Sequence, residues 1–148
     1  MEFNRHINRR LHEEHEATLA LWGKVQTSLA AGTVDPALMR SAAAALAHEL
    51  GRHFKFEEDA LFPLLAAAGE GDLGELLAGE HDVIRAAGGE FISLVNLGAS
   101  SARLRPLGLE LAERLFAHVQ KEETSLLPSL DDLLDEAADS GLAESYLT

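Results

Sequence analysis

The chain has 148 residues, 47% of them hydrophobic and 25% charged, enough for one domain over 1–148 with a continuous core and far from the composition of a disordered chain. Its 12 Lys+Arg against 25 Asp+Glu leave a formal charge of −13, which repels the polyanionic backbone of nucleic acid and favours the approach of cations. Without a single Cys, disulfides, thiolate metal sites and cysteine nucleophiles are excluded, so any metal must be held by nitrogen and oxygen.

The opening stretch, MEFNRHINRRLHEEHE, lacks the apolar run of a secretory signal, and nothing later approaches the length of a membrane span, so a cytoplasmic protein with no membrane partner is expected. The first helical segment runs from about Asn4 to Ala31, with Leu11, Leu19, Val25 and Leu29 among polar residues, and stops at Gly32. The second opens at Val34-Asp35-Pro36, where Asp35 is placed as an N-cap and Pro36 has no N–H to leave unpaired; it ends near Ala68-Gly69. The third begins at Asp72, with Glu75 three residues on as in a capping box, and fades at Asn96-Leu97-Gly98. The fourth starts at Ser100 or Ser101, carries Pro106 in its opening turns and continues to about Leu134. Pro63 and Pro128 fall late in the second and fourth segments, where each removes a hydrogen bond and is expected to bend its helix. The tail from Ala137 to Leu147 has room for one more short helix. Strand signals are absent, and four long segments joined by short glycine-containing links predict an all-α, antiparallel up-down-up-down four-helix bundle.

Aligned on itself, the chain shows one helical hairpin twice, over about 4–68 and 72–134. His53-Phe54-Lys55-Phe56-Glu57-Glu58-Asp59-Ala60-Leu61-Phe62-Pro63 lies over His118-Val119-Gln120-Lys121-Glu122-Glu123-Thr124-Ser125-Leu126-Leu127-Pro128, with His, both Glu, Leu and Pro at the same offsets. Upstream, Leu11-His12-Glu13-Glu14-His15 matches Leu77-Ala78-Gly79-Glu80-His81; 38 residues separate His15 from His53 and 37 separate His81 from His118. Residues four apart share a helix face, so His53 with Glu57, and His118 with Glu122, can aim at one point in the core. One such pair alone is commonly a surface contact. Two copies, each with an in-phase upstream histidine, point inward instead, and six buried polar groups would cost on the order of several kcal/mol unless neutralised. A pair of cations does this: imidazole and carboxylate suit iron, manganese and zinc, with two histidines on each ion, two shared carboxylates, and positions left for water, hydroxide or dioxygen.

At these residues the chain resembles the hemerythrin family, in its HHE cation-binding branch, whose signature H…HxxxE…H…HxxxE spans nearly the whole sequence. The resemblance implies a pair of iron ions held by His15, His53, Glu57, His81, His118 and Glu122, with the two glutamates bridging. The sequence departs from the oxygen-carrying hemerythrins in two places. Those proteins have a second histidine four residues after the third-helix ligand, where this chain has Arg85. They also have an aspartate five residues after the fourth-helix histidine, where this chain has Glu122 four after and Glu123 five after. A site lacking that histidine gains an open position or recruits Glu58, Glu123 or a water.

His12, whose counterpart in the repeat is Ala78, is expected beside the site or in solvent. Glu58 and Glu123 point about 100° around the helix from the bridging glutamates and are read as hydrogen-bond partners of the ligands. Arg85 either reaches toward the pocket or runs its stem along the surface, and the surface is favoured. His6 and His48 are expected in solvent, and Trp22 in the core or at its rim. The function expected is binding or sensing of dioxygen or a related small molecule, nitric oxide or peroxide. The alternatives are an enzyme acting on peroxide or another small oxidant, and an iron-handling or stress-response protein.

Overall fold

The computed structural model describes residues 3–147. Four long helices follow one another, a fifth closes the chain, and there is no strand among the described residues. α1 is His6–Ala30 and α3 is Gly71–Asn96. α2 (residues 36–67) and α4 (residues 101–133) are rods into which π turns are set. α5, Glu136–Leu147, is the short helix expected of the tail. α1 packs on α2 and α4, and α3 packs on the same two, which is the square of an antiparallel bundle with short links.

The link signals act largely as read. Asp35 Oδ1 accepts from Ala37 N at 3.0 Å and Leu38 N at 3.4 Å, and Pro36 takes the first turn of α2. α1 and α3 stop where Gly32 (φ +81°) and Gly98 (φ +68°) adopt left-handed backbone, which a Cβ would oppose. The link between helices is residues 31–35 in the first hairpin and 97–100 in the second. That single residue is the difference between the two histidine separations.

One local expectation is corrected. The capping box at Asp72 does not form: α3 begins at Gly71, directly after the Gly69 turn (φ +84°), and no side chain caps it. Asp72 lies inside the first turn, where its charge still favours the helix N-terminus. Leu19 is 37% exposed, and Ile7 and Trp22 fill the inward positions. Eight residues beyond Leu11, Leu19 has turned about 80° away from its direction.

The prolines have a more specific outcome than a bend. π turns occupy Glu49–His53 and Glu57–Leu61 in α2 and Glu122–Leu126 in α4, closed by Phe54 N to Glu49 O, Phe62 N to Glu57 O and Leu127 N to Glu122 O. Pro63 and Pro128 follow the last two. In a regular α-helix a proline ring collides with the carbonyl four residues back; a widened turn relieves the collision. Both of these widened turns start at a glutamate of the repeat.

Two apolar clusters fill the bundle. Trp22, Leu29, Leu46, Phe91, Leu111 and Leu115 belong to one; Ile7, Leu11, Leu61, Leu65, Leu126 and Leu130 belong to the other. Trp22 is a core residue, its ring tilted against Phe91 at 5.4 Å. Gly108 lets α4 approach α1 closely, since a Cβ there would collide with Leu29. A layer of six polar side chains is buried along with these clusters, none more than 2% exposed: His15, His53, Glu57, His81, His118 and Glu122. No helix of the described residues is long and apolar enough to cross a membrane.

Candidate metal centre

Each residue of the polar layer sits on the buried stripe of its helix. His15 follows Leu11 by one turn in α1, and His81 follows Leu77 by one turn in α3. The π turns then set the aim of the carboxylates, because Glu57 and Glu122 each begin one.

The four Nε2 atoms converge on two carboxylates. His15 Nε2 lies 2.8 Å from Glu122 Oε1, and His53 Nε2 lies 3.3 Å from Glu57 Oε2 and 3.8 Å from Glu122 Oε1. Opposite them, His81 Nε2 is 3.1 Å from Glu57 Oε1, and His118 Nε2 is 3.1 Å from Glu122 Oε2. The side chains therefore form two donor groups, His15–His53–Glu57–Glu122 and Glu57–His81–His118–Glu122, with donor atoms within 4.8 Å of one another in each. Both glutamates belong to both groups.

Behind the layer every ring has a carboxylate at Nδ1. His15 Nδ1 meets Glu123 at 2.8 Å, His53 Nδ1 meets Glu14 at 3.2 Å, His81 Nδ1 meets Glu58 at 2.7 Å, and His118 Nδ1 meets Glu80 at 2.7 Å. With Nδ1 facing a carboxylate outward, each Nε2 is turned inward, the orientation a metal-binding histidine needs. Each carboxylate is anchored in turn. Arg85 donates to Glu58 through both terminal nitrogens at 2.7 and 2.9 Å, Lys121 pairs with Glu80, His12 meets Glu123, and Glu14 accepts from Tyr146 Oη at 2.5 Å and Arg10 Nε at 3.1 Å.

The structure thus brings together all six residues of the repeat signature, and places Glu58 and Glu123 behind the rings rather than in either inward group. Arg85 corrects the surface reading. Its guanidinium fits the Glu58 carboxylate bidentately and lies 5.8 Å from the Phe54 ring, so the charged head is held against the protein. His12 is half-buried beside Glu123, while His6 and His48 are exposed. Sequence reasoning missed Glu14 and Glu80, although a Glu-His pair precedes both hairpin links at the same place in the repeat. It also missed Tyr146 and Glu49. Glu49 is buried with a carboxylate oxygen 3.6 Å from His53 Nδ1, and forms a third group with Glu14 and His53.

Proton occupancy follows the charges. Burial opposes a proton on His15, but Glu122 and Glu123 outweigh it and raise the pKa to about 9. Burial is likewise outweighed at His81, where Glu122 and Glu57 raise it to about 9. His53, fully buried, is raised well above the usual histidine range by Glu49 and Glu57, and His118 is raised by Glu122. Against its own burial, Glu122 is held well below the carboxylate range by His118, His15 and His53. A metal ion must displace these protons, because it uses the same lone pairs.

Hydrogen bonds inside the layer do not satisfy it. His53 Nε2, both oxygens of Glu57 and Oε2 of Glu122 are buried without a hydrogen-bond partner. An orphaned buried group costs roughly 1–3 kcal/mol, more when charged. These atoms are among the inward donors of the two groups, so the donor set fits metal cations that prefer nitrogen and oxygen. A cleft of about 290 Å³ lined by Glu14, Trp22, Leu46 and Glu49 flanks one half. A second, of about 450 Å³, lined by Leu76, Glu80, Val83 and His118, flanks the other.

Compared with known proteins, the family model of the hemerythrin HHE cation binding domain matches residues 6–130. No curated protein and no solved structure matches the chain.

Proposed function

Since the chain belongs to the hemerythrin HHE cation-binding domain family, we propose that it is a non-haem di-iron protein that binds or senses dioxygen or a related small molecule, nitric oxide or peroxide. In this reading His15 and His53 would hold one iron and His81 and His118 the other, with Glu57 and Glu122 belonging to both groups. The observation that supports it most is the set of buried donor atoms without partners, shared between two groups of side chains. A bound iron pair would supply redox chemistry toward a small oxidant.

The chain's own residues do the rest. Four Nδ1–carboxylate contacts fix the ring orientations, and the two apolar clusters keep bulk water from the layer. Arg85 is committed to Glu58, so position 85 sends no donor inward. The cleft at His118 gives a molecule of a few atoms an approach from that flank.

Elemental analysis of protein made with ample iron, followed by absorption spectra during repeated removal and return of oxygen, tests this reading. About two irons per chain and charge-transfer bands that change reversibly are expected. Metal content near zero would refute it. Steady turnover of added peroxide would move the reading to an enzyme, and loading well beyond the pair would move it to iron handling.

A further inference from the structure

α5 lies beyond the residues matched by the family, and its two buried residues are Asp139 and Tyr146. Asp139 ties it to the start of α1, accepting from His6 N at 2.8 Å and Ile7 N at 3.0 Å, amides that have no partner within their own helix. This anchoring sets Tyr146 over the His53 end of the polar layer. Its ring packs on Phe56 at 4.5 Å, stands edge-on to His53 at 6.4 Å, and lies under the Arg52 guanidinium at 5.1 Å. Arg52 also donates to the Tyr146 carbonyl.

Packing accounts for the ring but not for the hydroxyl. Tyr146 Oη donates to Glu14 Oε1 at 2.5 Å, the same oxygen that faces His53 Nδ1 at 3.2 Å. A phenylalanine would fill the same space and leave that carboxylate oxygen free to turn. The other anchor of Glu14, Arg10, is 49% exposed, and an ion pair so open to water is a weak constraint. In the second half the equivalent carboxylate, Glu80, is backed by the part-exposed Lys121 instead.

We propose that Tyr146 is a positioning residue for the metal position formed by His15 and His53: through Glu14, its hydroxyl holds the His53 ring with Nε2 turned to the centre. This inference rests on the two-ion reading of the site. Because His81 and His118 lie on the far side, with carboxylates of their own at Nδ1, the effect is confined to one ion of the pair.

The test compares wild type, Tyr146→Phe, Glu14→Gln and the double variant, each loaded with iron, by the rate at which iron passes to an excess of coloured chelator. In Tyr146→Phe one equivalent per chain leaves about tenfold faster, the lower end of the effect of removing a partner behind a metal ligand, and the second leaves at the wild-type rate. Glu14→Gln accelerates the same equivalent, and the double variant is no faster than Glu14→Gln alone, because the hydroxyl acts through that carboxylate. Wild-type release in Tyr146→Phe, equal acceleration of both equivalents, or additive effects in the double variant would each overturn the inference. Failure of the underlying two-ion reading is told apart in the wild type, which would then yield fewer than two equivalents.

Discussion

At their centre the two halves of the bundle agree, and at their rim they differ. Each hairpin supplies one imidazole from its first helix and a His-x-x-x-Glu pair from its second, and each ring has a carboxylate behind it. Farther out the match ends. Glu14 is held by a buried hydroxyl, whereas Glu80 is held by a lysine that is 39% exposed. Where the second half has Lys121, the first has Phe56, packed on Tyr146. A π turn presses Glu49 toward His53, while the residue at the equivalent place, Arg114, pairs with Glu110 on the surface at 3.0 Å. Donor atoms around an ion must meet narrow limits of length and angle, so both hairpins supply the same ones. The groups behind a carboxylate need only offer a proton or a positive charge, and many side chains can do that.

Removing what the halves share should have the largest effect. Glu122→Gln keeps the shape of the side chain but removes a charge that faces all four imidazoles, and it is expected to abolish binding of both ions in elemental analysis. One ion retained at full affinity would show that the halves are not joined there. Next come the ligands private to each half: His53→Ala and His118→Ala should each weaken retention by more than the roughly 10–100-fold typical of a partner behind the ligand. The exposed His6→Ala and His48→Ala should leave retention unchanged, and equal retention in all four would remove the assignment. Smaller again, Glu58→Gln and Glu80→Gln should each lower affinity about 10–100-fold in metal titrations, both at the His81–His118 position, since Glu58 backs His81 and Glu80 backs His118; no change in either would mean that the outer carboxylates do not orient the rings.

The smallest effect is one of pH on the metal-free protein. His15 and His81 have pKa values raised from 6.5 to about 9 in the folded chain. Stability from a raised pKa is fully present below the unfolded value and is lost as pH rises through the folded one. The melting temperature of the metal-free protein should therefore fall between about pH 6.5 and 9, while the loaded protein, whose rings bear metal at Nε2, should not show that fall. A metal-free melting temperature that is level or rising across this interval would contradict the proton placement.

This contrast between centre and rim also explains what could be read from the sequence. The inward residues were legible because His53 and Glu57, and His118 and Glu122, recur at fixed spacing, and helical periodicity turns that spacing into a shared face. Glu14 and Glu80 were equally periodic, but their partners are on neighbouring helices, and only packing shows which ring each one meets. Arg85 was ambiguous for the same reason: nothing local says that Glu58, 27 residues away, will meet it. The helix ends at Gly32, Asp35 and Gly98 were readable because caps are local chemistry. The π turns were not, since they answer the prolines and the layer at once. Tyr146, 132 residues from Glu14, had no pattern to mark it.

The most direct measurement is a crystal of the iron-loaded protein, with diffraction recorded on both sides of the iron absorption edge. Two anomalous peaks per chain are expected, one between His15 and His53 and one between His81 and His118, with Glu57 and Glu122 reaching both. A single peak, no peak, or the six side chains turned away from the iron would contradict a paired-ion centre.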